Sequence, residues 1–132
     1  MKRLSVVGGM GLISMALATT ALAQAAFTVV PTWEGITACS GRPVNSPSPK
    51  FVVSNVPAGT VEFELKMVDL DAPTFSHGGG KVAYSGKAEL SSGAFKFVGP
   101  CPPATHRYEW TIVARDSAGK RLGTASATIR YP

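Results

Sequence analysis

The chain has 132 residues, a formal net charge of +5 and 45% hydrophobic residues. This length gives one domain with a modest core and excludes a second domain of ordinary size. Beyond the first few residues the basic side chains are scattered, with Lys120-Arg121 as the one adjacent pair. This pattern argues against nucleic acid as a partner.

The N-terminal segment 1–23 has the pattern of a secretory signal peptide. A basic start precedes a mostly apolar run that extends to Leu22, and alanines flank the expected cleavage position. The pattern predicts cleavage after Ala23 or after Ala25. An uncleaved membrane anchor is the alternative, because the run is near spanning length. We expect residues 24–132 to form a single exported domain, periplasmic or secreted, with no stable membrane span after cleavage.

Two cysteines, Cys39 and Cys101, lie in the part of the chain that we expect to be exported. An even number of cysteines in an oxidising compartment suggests a disulfide bond. If they pair, the bond ties the N-terminal segment to a proline-rich loop and stabilises the domain by on the order of 4 kcal/mol through loop-closure entropy. Two buried free thiols are the alternative.

The first half of the domain predicts short strands between loops. Residues 27–48 are rich in proline and glycine and predict mostly loop, with at most an edge strand at the start. Residues 50–54 predict a short strand. Residues 61–69 give the clearest strand signal. Their apolar side chains alternate with charged ones and should face the core: Val61, Phe63, Leu65 and Met67.

The middle of the chain predicts a loop and several short strands. Pro73 ends the preceding strand, and residues 74–80, with three consecutive glycines after His77, predict a loop that is flexible unless packed. Glycine-containing turns separate three further strand candidates, at residues 81–84, 87–90 and 94–98. Closely spaced prolines then predict a rigid, irregular loop from Gly99 to Pro103.

The last third of the chain predicts the central strand, beginning at His106. Its alternating side chains place one set on the buried face, together with His106: Tyr108, Trp110, Ile112 and Ala114. A hairpin turn at residues 116–119 leads into a final strand at residues 122–131. Because residues 24–132 show no convincing helical period, the sequence predicts an all-β sandwich of roughly seven or eight short strands.

Five ionisable residues near strand ends could carry chemistry: Asp69, Asp71, His77, His106 and Tyr108. Signature motifs of nucleophilic hydrolases, phosphate-binding loops and zinc sites do not occur. An EF-hand calcium loop starting at Asp69 is disfavoured by the proline that follows. Structural roles are the alternative, with the aspartates as turn formers, Tyr108 in the core and His106 bonded to a loop carbonyl.

Two separated motifs resemble the phosphatidylethanolamine-binding protein family, with the closest likeness to its bacterial Raf kinase inhibitor-like branch. They are Val68-Asp-Leu-Asp-Ala-Pro73 and the stretch from Gly99-Pro-Cys-Pro-Pro103 to His106-Arg-Tyr108. Shorter similar segments begin at Cys39, Ser46 and Val56, so the likeness covers residues 27–132. The resemblance implies a shortened Greek-key β-sandwich with a pocket for phosphate or a phosphorylated headgroup, without cofactor or metal.

The resemblance also implies roles for individual residues. Asp69 would line the pocket, and Asp71 would brace the loop. The pocket walls would be shaped by Pro73, Gly99 and Pro100. His106 and Tyr108 would donate hydrogen bonds to the anion, as imidazole and phenol groups can.

The sequence also departs from the family. Leu70 replaces a usual proline, and the chain lacks a C-terminal helix found in some members. The histidine that usually begins the next strand would fall on Gly80, three positions after His77. His77 therefore either reaches the pocket or remains a solvated loop histidine.

We expect an exported, non-catalytic protein that binds a small anionic ligand. The alternative is a structural or protein-interaction β-sandwich with a vestigial pocket and a protein partner. A hydrolase that uses Asp69 as base and His106 as acid is a third, weaker hypothesis, because neither a nucleophile nor a metal site is recognisable. Kinase inhibition is not expected of an exported protein.

Overall fold

The computed structural model describes residues 15–132. Residues 1–14, which carry most of the predicted signal peptide, lie outside the described residues, so that peptide stays a prediction. Residues 15–26, which include both predicted cleavage positions, have no secondary structure and are exposed. In the described part of the chain, no helix is long and apolar enough to cross a membrane.

The described residues form nine β-strands and no helix. In chain order, the strands are β1 (Thr28–Pro31), β2 (Asn45–Pro47), β3 (Phe51–Ser54), β4 (Glu62–Asp69), β5 (Ser76–Ala83), β6 (Glu89–Leu90), β7 (Lys96–Val98), β8 (His106–Arg115) and β9 (Arg121–Tyr131). The all-β class predicted from the sequence is confirmed.

The strands form three antiparallel sheets. The largest has the order β5-β4-β8-β9, and the smaller ones have the orders β1-β3-β6 and β2-β7. After β5 the chain passes through β6 and β7, in the smaller sheets, before β8 returns beside β4. This non-consecutive pairing is the kind of connection that a Greek-key sandwich requires.

The core lies between the large sheet and the smaller sheets. Trp110 of β8 is fully buried, and its ring centroid lies 4.9 Å from that of Phe51 in β3 and 5.3 Å from that of Phe97 in β7. Aromatic side chains bury large apolar areas, so these contacts join the layers. The predicted buried face of β8 is confirmed, with every side chain at most 1% exposed: Tyr108, Trp110, Ile112 and Ala114.

The prediction of a loop at residues 74–80 is wrong over most of its length. Residues from Ser76 onward belong to β5, which pairs with β4, and Gly79 and Gly80 lie opposite Lys66 and Leu65. A Cβ atom on Gly79 would collide with the carbonyl oxygen of Leu65. Glycine is therefore needed here for a close approach of two backbones, not for flexibility.

Two smaller expectations also fail. Val61, predicted to face the core, is 45% exposed because it precedes β4 at the end of the sheet. The segment predicted as loop before residue 48 contains β2, which pairs with β7. Pairing with a distant strand, and not a local pattern, makes this proline-containing segment a strand.

The predicted disulfide bond is confirmed. Cys39 and Cys101 are bonded, with their Cα atoms 5.0 Å apart, and no free cysteine occurs in the part of the chain that the structure describes. A disulfide bond is consistent with an extracellular location.

Candidate functional site

A cavity of about 170 Å³ lies at the end of the large sheet where β4 ends and β8 begins. Its lining combines polar side chains of the sheet with apolar side chains of the surrounding loops. The lining residues are Pro43, Asp69, Ala72, Phe75, His77, Cys101, Pro102, Pro103, His106 and Tyr108. The sequence predicts three of the four polar members as pocket residues, and for His77 it predicts either a place in the pocket or a solvated loop position.

Asp69 is the last residue of β4 and is 4% exposed. Its Oδ1 accepts hydrogen bonds from the backbone N–H groups of Asp71 (2.9 Å) and Ala72 (3.0 Å), and its Oδ2 lies 2.7 Å from Nδ1 of His106. Burial opposes ionisation and is the largest single effect on the carboxyl. The hydrogen bonds from His106 and the two amides together outweigh it, so the pKa of Asp69 is lowered.

His106 begins β8, and its side chain is 18% exposed. Because a carboxylate oxygen only accepts hydrogen bonds, Nδ1 of His106 must carry the proton directed at Asp69. Nε2 is then the ring nitrogen left for a ligand. The carboxylate fixes the orientation of the imidazole.

His77 lies in β5, is 3% exposed and lines the cavity. The alternative of a solvated loop histidine is therefore wrong. Its Nδ1 lies 2.6 Å from the carbonyl oxygen of Val98, which accepts, so Nδ1 donates and Nε2 is again the remaining nitrogen. The ring of Phe75 packs against it, with centroids 4.7 Å apart.

Tyr108 lies between the two histidines and is 1% exposed. Its ring centroid is 5.5 Å from that of His77 and 6.3 Å from that of His106. Burial, followed by the negative charge of Asp69, raises the pKa of the phenol well above its ordinary value. The hydroxyl keeps its proton at physiological pH and can donate a hydrogen bond.

Asp71 does not line the cavity. Its carboxylate accepts hydrogen bonds from Nη2 (2.9 Å) and the backbone N–H (2.7 Å) of Arg107, and these bonds lower the pKa of Asp71 to about 2. Its position fits the bracing role that the resemblance implied.

Three other predicted residues also lie outside the cavity lining: Pro73, Gly99 and Pro100. Pro73 is exposed in the turn after β4. Pro100 is fully buried, and the backbone N–H of Gly99 donates to the carbonyl oxygen of Val44 at 2.9 Å. These two residues support the loop whose next residues form the wall.

Sequence reasoning missed most of the apolar wall. Phe75 reaches the cavity because two successive turns follow β4, closed by bonds from the N–H of Ala72 to the carbonyl of Asp69 and from the N–H of Phe75 to the carbonyl of Ala72. The proline after this motif signals a turn but not its direction. The remaining wall residues come from two distant loops that the disulfide joins: Pro43, Cys101, Pro102 and Pro103.

Fold and cavity together define a small antiparallel β-sandwich with a pocket at one end of its larger sheet. Polar side chains form the floor of this pocket: Asp69, His77, His106 and Tyr108. The fold is that of phosphatidylethanolamine-binding proteins. A crystal structure of a phosphatidylethanolamine-binding protein homologue from Chlamydia trachomatis matches with a TM-score of 0.56 and 19% identity, over 81% of this chain and 97% of that chain. No family model matches the sequence, and no curated protein matches it. The similarity therefore concerns the fold.

Proposed function

We propose that this protein is an exported, non-catalytic binder of a small anion, such as phosphate or a phosphorylated headgroup. The observation that supports this proposal is the shared arrangement of His77 and His106. In both, Nδ1 is held by an acceptor, so any proton the ring takes up goes to Nε2. Two imidazolium N–H groups and the Tyr108 hydroxyl are suitable donors for the oxygens of an anion.

The charge of the cavity makes this binding depend on protonation. Among the residues that the structure describes, no lysine or arginine lines the cavity, and Asp69 contributes a negative charge. With both histidines neutral, the lining is negatively charged and disfavours an anion. Histidines become charged between about pH 8 and pH 5.5, so the proposal requires tighter anion binding at the acidic end of this range.

The size of the cavity supports a small ligand. Its volume of about 170 Å³ is below the roughly 300–1,000 Å³ typical of pockets for drug-sized molecules. A phosphate or a short headgroup would reach the polar floor of the pocket. An apolar group attached to the ligand would lie against the prolines of the wall, Pro43, Pro102 and Pro103.

The proposal is tested by amide NMR titration of the oxidised protein with inorganic phosphate and with phosphoethanolamine, at pH 5.5 and pH 8. We expect saturable shifts at residues 69–80 and 99–108, tighter binding at pH 5.5, and loss of the shifts in His106→Ala. Glu109→Gln, on the outer face of β8, is the matched control and should bind as wild type does. An absence of localised shifts at millimolar ligand, or equal affinities at the two pH values, would overturn the proposal and favour a protein-interaction role.

A further inference from the structure

The disulfide bond forms part of the wall of the cavity. Cys101 lines the cavity directly, and Pro43, four positions after Cys39, forms a neighbouring part of the wall. Cys39 itself is exposed, whereas Cys101 is partly buried. One sulfur of the bond thus belongs to an exposed residue and the other to a residue of the candidate binding site.

The exposed loop at residues 38–43, which carries Pro43, has few other attachments. Every residue in it is exposed. Among the described residues, its one hydrogen bond runs from the backbone N–H of Cys39 to the hydroxyl of Tyr131 and is long, at 3.4 Å. Firm anchors lie outside the loop, at Thr37, whose N–H donates to Ser46 Oγ (2.8 Å), and at Val44.

The loop on the other side of the bond is fixed. Pro100 is fully buried, and the N–H of the preceding Gly99 donates to the Val44 carbonyl oxygen at 2.9 Å. Prolines on both sides of Cys101 restrict its backbone. The disulfide is therefore the main attachment of the exposed loop at residues 38–43 to a rigid part of the pocket, and exposed segments with few buried contacts open at low free-energy cost.

We propose that the Cys39–Cys101 disulfide is a redox-modification site, reduced by an external dithiol, and that its reduction opens the wall of the ligand pocket. A thiolate of the dithiol attacks the sulfur of exposed Cys39, forming a mixed disulfide and releasing Cys101 as a thiolate that takes up a proton. The second thiol of the reductant then displaces Cys39 as a thiol and closes the reductant's own disulfide. Two electrons and two protons pass to the protein cysteines.

Reduction releases the exposed loop, and with it Pro43, but leaves the polar floor in place. Asp69 and Tyr108 lie opposite each other in the pairing of β4 with β8, and His106 lies opposite Tyr131 in the pairing of β8 with β9. Reduced protein therefore keeps its sheet and its Asp69–His106 hydrogen bond while losing one wall of the pocket. The effect on ligand affinity rests on the proposed function, whereas the release of the loop does not.

The first test compares oxidised protein with protein treated with dithiothreitol, by nitrogen relaxation of the backbone amides without any ligand. We expect the heteronuclear NOE at residues 38–42 to fall on reduction, because the released loop gains fast backbone motion, while the values in β4 and β8 stay unchanged. Cys39→Ser/Cys101→Ser should reproduce the reduced pattern and should no longer respond to dithiothreitol. Unchanged heteronuclear NOE values at residues 38–42 after complete reduction would overturn the proposal.

A second measurement covers the case in which protein lacking the bond unfolds. The rate of reduction by dithiothreitol is compared with the rate of global unfolding of the oxidised protein, followed by circular dichroism. Direct attack at Cys39 predicts a reduction rate that rises in proportion to the dithiothreitol concentration and exceeds the unfolding rate. A reduction rate that levels off at the unfolding rate would overturn the proposal, because the bond would then be reached only in unfolded chains.

The third arm repeats the phosphoethanolamine titration on oxidised and reduced protein, and on Pro43→Ala with the disulfide intact. We expect reduction to weaken binding at least about fivefold and Pro43→Ala to weaken it in the same direction. Equal affinity for phosphoethanolamine before and after reduction would overturn the claim that the disulfide bond controls the pocket. Absence of binding in both states, together with a released loop, would instead count against the proposed function and leave the redox site standing.

Discussion

At the level of single residues, the carboxylate of Asp69 makes hydrogen bonds with both of its oxygens. Two backbone amides occupy Oδ1, and His106 occupies Oδ2. Little of this buried carboxylate is left for a ligand, so in the proposed function Asp69 acts through His106 as a positioning group. In the proposed anion complex, the negative charge of Asp69 faces the imidazole, and the positive charge of a protonated His106 offsets its repulsion of the phosphate.

The first prediction concerns Asp69→Asn. The amide NH₂ would replace one acceptor oxygen. Facing the two backbone N–H groups, it leaves buried donors unpaired; facing His106, it moves the ring proton to Nε2 and replaces a charge-assisted hydrogen bond with a neutral one. Either change costs about 1–3 kcal/mol, and we expect the free energy of unfolding in urea to fall by that amount. Asp71→Asn, at the more exposed pair with Arg107, is the control and should cost less. Equal losses for the two variants would contradict the role given to Asp69.

The second prediction concerns Tyr108→Phe. Removing the hydroxyl leaves the ring contacts with Trp33 and His77 in place, so we expect the fold to persist. Loss of one hydrogen bond to the ligand should weaken phosphoethanolamine binding about 3- to 10-fold, measured by NMR titration. Tyr84→Phe, whose ring packs on Phe63 away from the cavity, is the control. Unchanged affinity in Tyr108→Phe would mean that the phenol does not reach the ligand.

The site residues on β8 could be predicted from the sequence alone, whereas the other site residues could be predicted only in part. Alternation along one strand places His106 and Tyr108 on the same face, and a period of two fixes this without knowledge of the fold. His77 could not be placed by spacing, because its position depends on how β5 pairs with β4. Phe75 and Pro43 enter the cavity through turn geometry and a disulfide, which no local pattern encodes.

At the level of secondary structure, β5 shows how composition can mislead. Three glycines in a row usually indicate a flexible segment, yet here they lie in a strand that pairs with β4. A register shift in this pairing lies between Lys66 and Val68, next to the point where the backbone of Gly79 lies close to the carbonyl of Leu65. The absence of side chains permits the approach, and pairing with β4 fixes His77 in the wall of the pocket.

The third prediction tests this account of β5 with Gly79→Ala. Because the added Cβ would collide with the Leu65 carbonyl oxygen, the strand must shift, and His77 two positions away should move with it. We expect a loss of roughly 2 kcal/mol or more in urea unfolding, with changed amide shifts around the cavity. Gly86→Ala is the control. Gly86 has a φ of 89° and open space where a Cβ atom would lie, so the loss of stability in this variant measures backbone strain without a collision. A cost no larger than that of Gly86→Ala would show that β5 tolerates a side chain.

At the level of the whole molecule, the candidate site lies where the core of the sandwich ends. β4 and β8 carry the buried core residues in their central parts and the polar site residues at one shared end. The period-two pattern of both strands made this scaffold predictable. The smaller sheets depend on strands of two to four residues, which are too short to leave a clear sequence signal. A scaffold of this type can host different functions, so the polar residues, and not the fold, carry the proposal.

The free energy of unfolding of the whole domain should fall in acid, because folding lowers the pKa of two carboxyl groups. Folding lowers the pKa of Asp69 and of Asp71, the latter to about 2, from an ordinary value of 3.8. The unfolded chain therefore binds protons first as the pH falls below about 4, so the stabilising contribution is present above that pH and is lost towards pH 2.

The fourth prediction compares wild type with Asp71→Asn by urea unfolding between pH 6 and pH 2. At pH 6 the ionised carboxylate stabilises the wild type through Arg107, and the variant lacks that contribution. At pH 2, close to the folded-state pKa of Asp71, about half of the folded molecules carry a protonated carboxyl and most of the contribution is lost, so we expect the gap between the two unfolding free energies to narrow strongly with falling pH. A gap that stays constant from pH 6 to pH 2 would mean that the Asp71 charge contributes nothing, and that the loop after β4 is held by its backbone turns alone.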